Sequence, residues 1–202
     1  VDTWQEGSGS FVRVTDYKTG QKSFDYCDVS QGVGLQMLLY LFALEKEGSV
    51  LLGSDAACAG VEYFPARPPY LPADGPMTAE EIQKERGKKW VRSGLFLREE
   101  RVLEAMEPEN PETRLPVNRK KDGSLSGDLA DRDQLKLLEG YVFHILADMV
   151  EDIASGNISP NPYTRGASHD ACAYCPYGTI CHETADQGRR NYEAMKPERF
   201  WE

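Results

Sequence analysis

The sequence predicts a mixed α/β domain, a sheet with helices packed on it, carrying a cysteine-rich appendage at its C-terminal end. Three observations predict it. Strand-like and helix-like segments alternate through the first half of the chain, the order that lays helices on a sheet. The hydrophobic spacing changes with them, from two in the strand-like segments to helical spacing in the longest helix-like one. Three cysteines then crowd together at Cys172, Cys175 and Cys181.

In order along the chain, Val1-Asp2-Thr3-Trp4 reads as the end of a strand, with no initiator methionine, and we expect the chain to be a piece of a longer protein. Residues 11–18, FVRVTDYK, read as a strand with Val12, Val14, Asp16 and Lys18 on one face. Thr19-Gly20-Gln21 is a turn, and residues 22–29 suggest a second, shorter strand. Residues 31–47 are apolar nearly all round a helix, which predicts a helix deep in the core that stops at Gly48. Residues 58–65 read as a strand closed by Pro65, followed by an irregular, proline-rich stretch. Thr78 with Glu81 three residues on is a capping-box pattern and starts a helix to about residue 88. A short helix over about 98–106 is expected, then an exposed loop over 107–127. Asp131 caps a long helix to about residue 154, with Leu135, Leu138, Val142, Ile145, Met149 and Ile153 at helical spacing. The cysteines and a short terminal helix complete the chain.

At 202 residues the chain can build one substantial core, or a core and a small appendage. Its longest apolar stretch is broken at Gln36 and ends near Leu44, far short of a membrane span, and no signal peptide opens it. The net charge of −10 counts against a stand-alone nucleic-acid binder, which is more often basic. Two local basic patches, Arg86-Gly87-Lys88-Lys89 and Arg119-Lys120-Lys121, read as solvated faces before phosphate contacts. Five cysteines, an odd number, fit a reducing compartment with a metal site better than a disulfide framework.

Three signals point to chemistry. Asp16 and Lys18 project from one face of a strand beside a glycine turn. A carboxylate there can hold Mg²⁺, and a neighbouring ammonium can orient a water or steady charge on a phosphate. The same pattern alone also describes an exposed ion pair. Gln36 and Tyr40 share a face of an otherwise apolar helix at i, i+4. The Gln36 amide either bonds a backbone group or faces a polar site. Finally, Cys172, Cys175 and Cys181 set three thiols within ten residues, the spacing of a zinc or iron–sulfur site. His169 and His182 lie close enough in sequence to complete a zinc site. Cys27 and Cys58 read as core residues, and His144 as a helix-surface or core histidine.

Taken together, a D-x-K strand, a short connection and a helix with Q-x-x-x-Y is the order of parts in RecB-type nucleases of the PD-(D/E)XK superfamily. VDTW, VRVTDYKTG, QGVGLQMLLYLFAL, AGVEYFPARPP and CAYCPYGTIC resemble the C-terminal nuclease domain of the AddB subunit of AddAB helicase–nucleases, over nearly the whole chain. The resemblance implies a restriction-endonuclease-like mixed sheet flanked by helices, with a truncated nuclease core over 1–165 and an iron–sulfur segment over 166–202. It implies that Asp16 is a metal-binding carboxylate, Lys18 the active-site lysine, Tyr17 a donor of its backbone carbonyl to the metal, and Gln36 and Tyr40 the residues that line the site and steer DNA. Cys172, Cys175 and Cys181 would supply three ligands of a [4Fe–4S] cluster, the fourth lying outside this chain. Asp2 matches the second aspartate of a G-R-I-D-R-I-D pattern, so the first, catalytic one would lie upstream of Val1, and the chain alone would hold half a metal site and be inactive. The implied function is Mg²⁺-dependent exonucleolytic cutting of DNA in double-strand break repair, in the cytoplasm, with an AddA-like partner subunit and no membrane. The alternatives are an inactive DNA-binding module with a zinc site, and a Cas4-like nuclease, against which the AGVEYFPARPP stretch argues.

Overall fold

A computed structural model describes residues 1–20, 22–73, 75–108, 114–166, 170–181, 190–191 and 193–202. The chain divides into two compact units, one of residues 1–24 and 34–142, the other of 25–33 and 143–202.

The first unit is built on a five-stranded mixed sheet. A hairpin of β1 (Asp2–Glu6) and β2 (Gly9–Lys18) opens it. After α1 (Tyr26–Ser30), which belongs to the second unit, α2 (Gln36–Leu52) returns the chain so that β3 (Ala56–Pro65) lies parallel to β2. Beyond α3 (Ala79–Lys89), β4 (Ser93–Leu97) runs antiparallel to β3. Next come α4 (Glu100–Met106), a small hairpin of β5 (Val117–Arg119) and β6 (Leu125–Gly127), and β7 (Leu129–Ala130), which pairs parallel to β4. The sheet order is β1-β2-β3-β4-β7. Helix α5 (Arg132–Ala154) follows.

The core is apolar side chains of strands and helices facing each other: Val12, Val14, Val61, Leu95 and Phe96 from the sheet, Leu38, Leu41 and Phe42 from α2, all buried. Parallel pairing of β2 with β3 breaks register between Val12 and Arg13. Gly60 sits at that irregularity with φ near +150°, and a Cβ there would stand 2.5 Å from the Leu95 carbonyl oxygen, so only glycine fits.

Several elements match the sequence expectation. Helix α3 carries a full capping box, Thr78 and Glu81 exchanging side-chain-to-backbone bonds. At the start of α5, Gln134 N–H donates to the Asp131 side chain, and Asp131 N–H to the Gln134 side chain. Four expectations are corrected. Residues 26–30 form a helix and not a strand, because the Asp25 side chain accepts from the N–H groups of Cys27 and Asp28 and caps it. Helix α2 starts at Gln36 and runs through Gly48 to a left-handed Gly53; Gly48 is buried, where a Cβ would lie 3.3 Å from that of Ala56. Nor is α2 deep in the core: Gln36, Tyr40, Val50 and Leu51 are exposed. The expected loop over 107–127 contains a hairpin, and Leu115 and Val117 join Phe96, Leu103 and Leu129 in a buried cluster. In α5, Leu135, Leu138 and Val142 are buried as expected, whereas Met149 and Ile153 are exposed.

In the second unit, Arg165 grips the α1 cap Asp25 through two bonds of 3.0 and 2.6 Å. Burial alone would raise the Asp25 pKa, but the Arg165 bonds and the helix N–H donors hold it below the usual carboxylate range. Cys27 is buried in α1, its thiol near the backbone of Glu193 and Met195. Strands β8 (Tyr163–Thr164) and β9 (Arg190–Asn191) pair parallel, α6 (Gly178–Cys181) carries the third clustered cysteine, and α7 (Pro197–Phe200) packs Phe200 on Tyr26.

Candidate active site

Strand β2 presents two chemically different faces. Val12 is paired with Cys58, Val14 with Val61 and Asp16 with Tyr63, so these residues share one face. That face is covered by α2: burial, then the nearby Glu45 carboxylate of α2, push the Cys58 thiol pKa up. Alternation puts Lys18 on the same side. Asp16 Oδ2 and Lys18 Nζ lie 2.6 Å apart, both part-exposed.

Helix α2 joins two parallel strands, so it runs back against them, and its first turn lies at the sheet end where β2 finishes. Gln36 and Tyr40 occupy that turn. The Gln36 side-chain amide donates to the Tyr40 hydroxyl at 2.9 Å, and both side chains are exposed. The amide therefore bonds a side chain and not a backbone group. The structure thus brings Asp16 to Lys18 and Gln36 to Tyr40, with both pairs at the same end and on the same side of the sheet. Tyr17, between Asp16 and Lys18, sends its ring to the other face, against Phe64 at 5.2 Å.

The reverse face holds a charged cluster that the sequence did not announce. Glu62, one residue from the position opposite Asp16, is 1% exposed. Its carboxylate meets Arg92 at 3.0 Å and Arg13 at 3.5 Å and accepts from the Thr15 hydroxyl at 3.1 Å. Arg13 also pairs with Asp2 at 2.8 Å, so Asp2 lies on this face and not beside Asp16. The available signal was a glutamate inside the otherwise apolar run AGVEYF.

Beyond Lys18 the sheet end opens into a cleft of about 930 Å³ between the segments 18–23, 63–70 and 89–91. Lys89, from a basic patch expected to be a solvated face, lines it together with Lys22 and Arg67.

The donor set for a metal is limited. Among the described residues, no three His, Cys, Asp or Glu side chains gather tightly enough to hold an ion. Asp16 offers one part-exposed hard-oxygen ligand at the site. One carboxylate with retained waters suits Mg²⁺, which binds through one or two carboxylates. In the second unit Cys172 is half-buried in a turn, and Cys175 and Cys181 are exposed; all three are free thiols. Thiols free of disulfides are the donors an iron–sulfur cluster or zinc takes. His169 and His182 lie outside the described residues. His144 is exposed on α5, 3.6 Å from Asp148, as a surface histidine.

Comparison with known proteins places this geometry. Residues 1–182 match the sequence profile of the PD-(D/E)XK nuclease superfamily. Over its whole length the chain is 35% identical to a protein of Thermoanaerobacter sp. (strain X514) named as the AddB-type subunit of an ATP-dependent helicase/deoxyribonuclease. It is 31% identical over its whole length to the protein of the same name in Acetivibrio thermocellus, and 34% over 90% of its length to that of Bacillus mycoides. The chain spans 18%, 18% and 16% of those relatives. With most of its residues matched and a mixed sheet that carries the D-x-K pair at a strand end, the chain belongs to the PD-(D/E)XK nuclease superfamily.

Proposed function

We propose that this chain carries the D-x-K half of a Mg²⁺-dependent site that hydrolyses DNA phosphodiester bonds, within a helicase–nuclease that trims broken ends for recombination. The observation that supports it most is the placement of Asp16 against Lys18 at 2.6 Å on the end of β2, on the side from which α2 departs with Gln36 and Tyr40. When bound, Mg²⁺ would lower the pKa of a water to make a nucleophile and neutralise charge on the phosphate. Asp16 holds that ion, with the Tyr17 carbonyl. Lys18 places its ammonium where negative charge grows on the phosphate oxygens. Gln36 and Tyr40, braced on each other, orient the strand.

The hairpin register supports a second carboxylate at this place. Asp2 pairs with Arg13, so positions that continue β1 ahead of Val1 pair in turn with Thr15 and Asp16. The upstream aspartate implied by the resemblance would then be the cross-strand neighbour of Asp16, about 5 Å away on the same face. Cys172, Cys175 and Cys181 would hold a [4Fe–4S] cluster with one further ligand. The working assembly is cytoplasmic, with an AddA-like subunit; no described helix is long and apolar enough to cross a membrane.

The test is Asp16→Ala in the full protein that carries this chain. DNA cutting with Mg²⁺ should fall by at least about a hundredfold while ATP-driven unwinding persists. Cutting at near-normal rates would sink the assignment.

A further inference from the structure

The cleft beyond Lys18 has a composition that the hydrolytic site does not explain. Its charged lining residues are Lys18, Lys22, Arg67 and Lys89, with no carboxylate among them, in a chain with 33 acidic and 23 basic residues. So one-sided a lining, in a protein of net charge −10, marks where an anion is received. Lys22, Arg67 and Lys89 are exposed, and among the described residues neither Lys22 nor Arg67 has a carboxylate within 4 Å. Their charge is directed to solvent and to whatever enters.

The same walls carry aromatic rings. Tyr70 is 86% exposed, a large apolar area to leave in water. Trp90 is fixed: its indole N–H donates to the Pro65 carbonyl at 2.8 Å, and its ring meets Phe64 edge-on. Pro65, Pro68 and Pro69 stiffen the wall that bears Arg67 and Tyr70. Cations that track a backbone, alternating with rings on which bases stack, are the means of holding an unpaired strand, because only unpaired bases expose their faces.

We propose that this cleft is a strand-positioning subsite for single-stranded DNA, with Lys22, Arg67 and Lys89 on successive phosphates and Tyr70 and Trp90 against unpaired bases, feeding the scissile phosphate to Lys18. This rests on the reading of Asp16 and Lys18 as the hydrolytic site. The subsite sets which form of DNA is cut: a duplex buries its base faces and gains nothing from Tyr70 and Trp90.

The test uses the full protein with Asp16→Ala, in a chelator, so that no strand is cut. A single-stranded oligodeoxynucleotide carrying 5-iodouracil is bound and photo-crosslinked, and the modified peptides are mapped. Crosslinks are expected at Tyr70 or Trp90, and should fall about tenfold in Lys22→Ala/Arg67→Ala/Lys89→Ala. The swap Lys22→Arg/Arg67→Lys/Lys89→Arg should restore them. In the cutting-competent protein, the triple alanine variant should raise KM for single strands, leave kcat within about twofold, and lower the salt slope of binding by about 2, near 0.7 for each lost phosphate contact. Crosslinks confined to other peptides, crosslinks unchanged in the triple variant, or equal capture of a duplex would each overturn the subsite. If Asp16→Ala still cut DNA while Tyr70 crosslinked, the hydrolytic reading would fall and the subsite would stand.

Discussion

Replacing Glu62 by alanine should cost the fold about 3 kcal/mol, although the side chain touches neither candidate site pair. Glu62 is 1% exposed and answers two arginines, Arg92 at 3.0 Å and Arg13 at 3.5 Å, besides the Thr15 hydroxyl. Removing one member of a buried ion cluster costs about 3–5 kcal/mol, because the charge left behind has lost both water and partner. Each arginine keeps one other carboxylate, Asp2 for Arg13 and Glu107 for Arg92, which places the cost at the lower end of that range. Arg13 Nη1 is already buried without a hydrogen bond, so it has nothing to fall back on. Urea unfolding followed by far-ultraviolet circular dichroism measures the loss. Replacing the cluster together, Glu62→Leu with Arg13→Met and Arg92→Met, should recover most of it, since a packed apolar group of similar volume carries no desolvation cost. A Glu62→Ala loss below about 1 kcal/mol would refute the reasoning, and so would a triple variant weaker than the single one.

Further outcomes follow from the same structure. Gln36→Leu should leave the fold intact, because the Gln36–Tyr40 bond is exposed and contributes about 0.5 kcal/mol or less. DNA cutting by the full protein should nevertheless drop about ten- to a hundredfold through lost positioning, and unchanged rates would remove Gln36 from the site. Burial pushes the Asp128 carboxyl up to about 6, above its unfolded value of 3.8. A pKa raised on folding adds stability at low pH that is lost as the pH rises through about 6. Asp128→Asn should therefore flatten the fall in urea midpoint between pH 4 and 6 and stabilise the chain by about 1–2 kcal/mol at pH 7, allowing for partial exposure; identical pH profiles would refute this. Cys175→Ser in the full protein should lower bound iron and bleach its brown colour, and zinc in place of iron in the parent protein would overturn the cluster reading.

What could be read in advance divides by the range of the physics involved. The Thr78–Glu81 capping box and the start of α5 at Arg132, after Asp131, are local hydrogen-bond codes, and the chain folds there as its letters say. Strand β2 declared itself because one of its faces is buried and period two is visible within a few residues. Residues 26–30 misled because their helix is held from afar: Arg165, 140 positions away, locks the Asp25 cap. Helix α2 misled for the opposite reason. Apolar letters all round it suggested burial, yet Val50 and Leu51 face solvent, and periodicity alone could not tell a covered face from an uncovered one. The D-x-K and Q-x-x-x-Y patterns were legible as motifs, but their relation was not. It follows from β2 and β3 being parallel, which returns α2 to the end of the sheet where β2 finishes.

The same topology answers the objection that an acidic chain makes a poor DNA binder. Net charge describes the field at a distance, whereas a bound strand within a Debye length, about 10 Å at moderate salt, meets the charges beside it. Much of the basic charge near the sheet end faces the cleft: Lys18, Lys22, Arg67 and Lys89 come from three separate segments and meet there because β2 and β3 end together. Carboxylates elsewhere are largely answered locally, Glu62 by Arg92 and Arg13, Glu99 by Arg101 and Arg132, Asp25 by Arg165. An acidic exterior with a basic opening repels DNA everywhere except where Lys18 waits, so the negative total sharpens the choice of entry instead of opposing it.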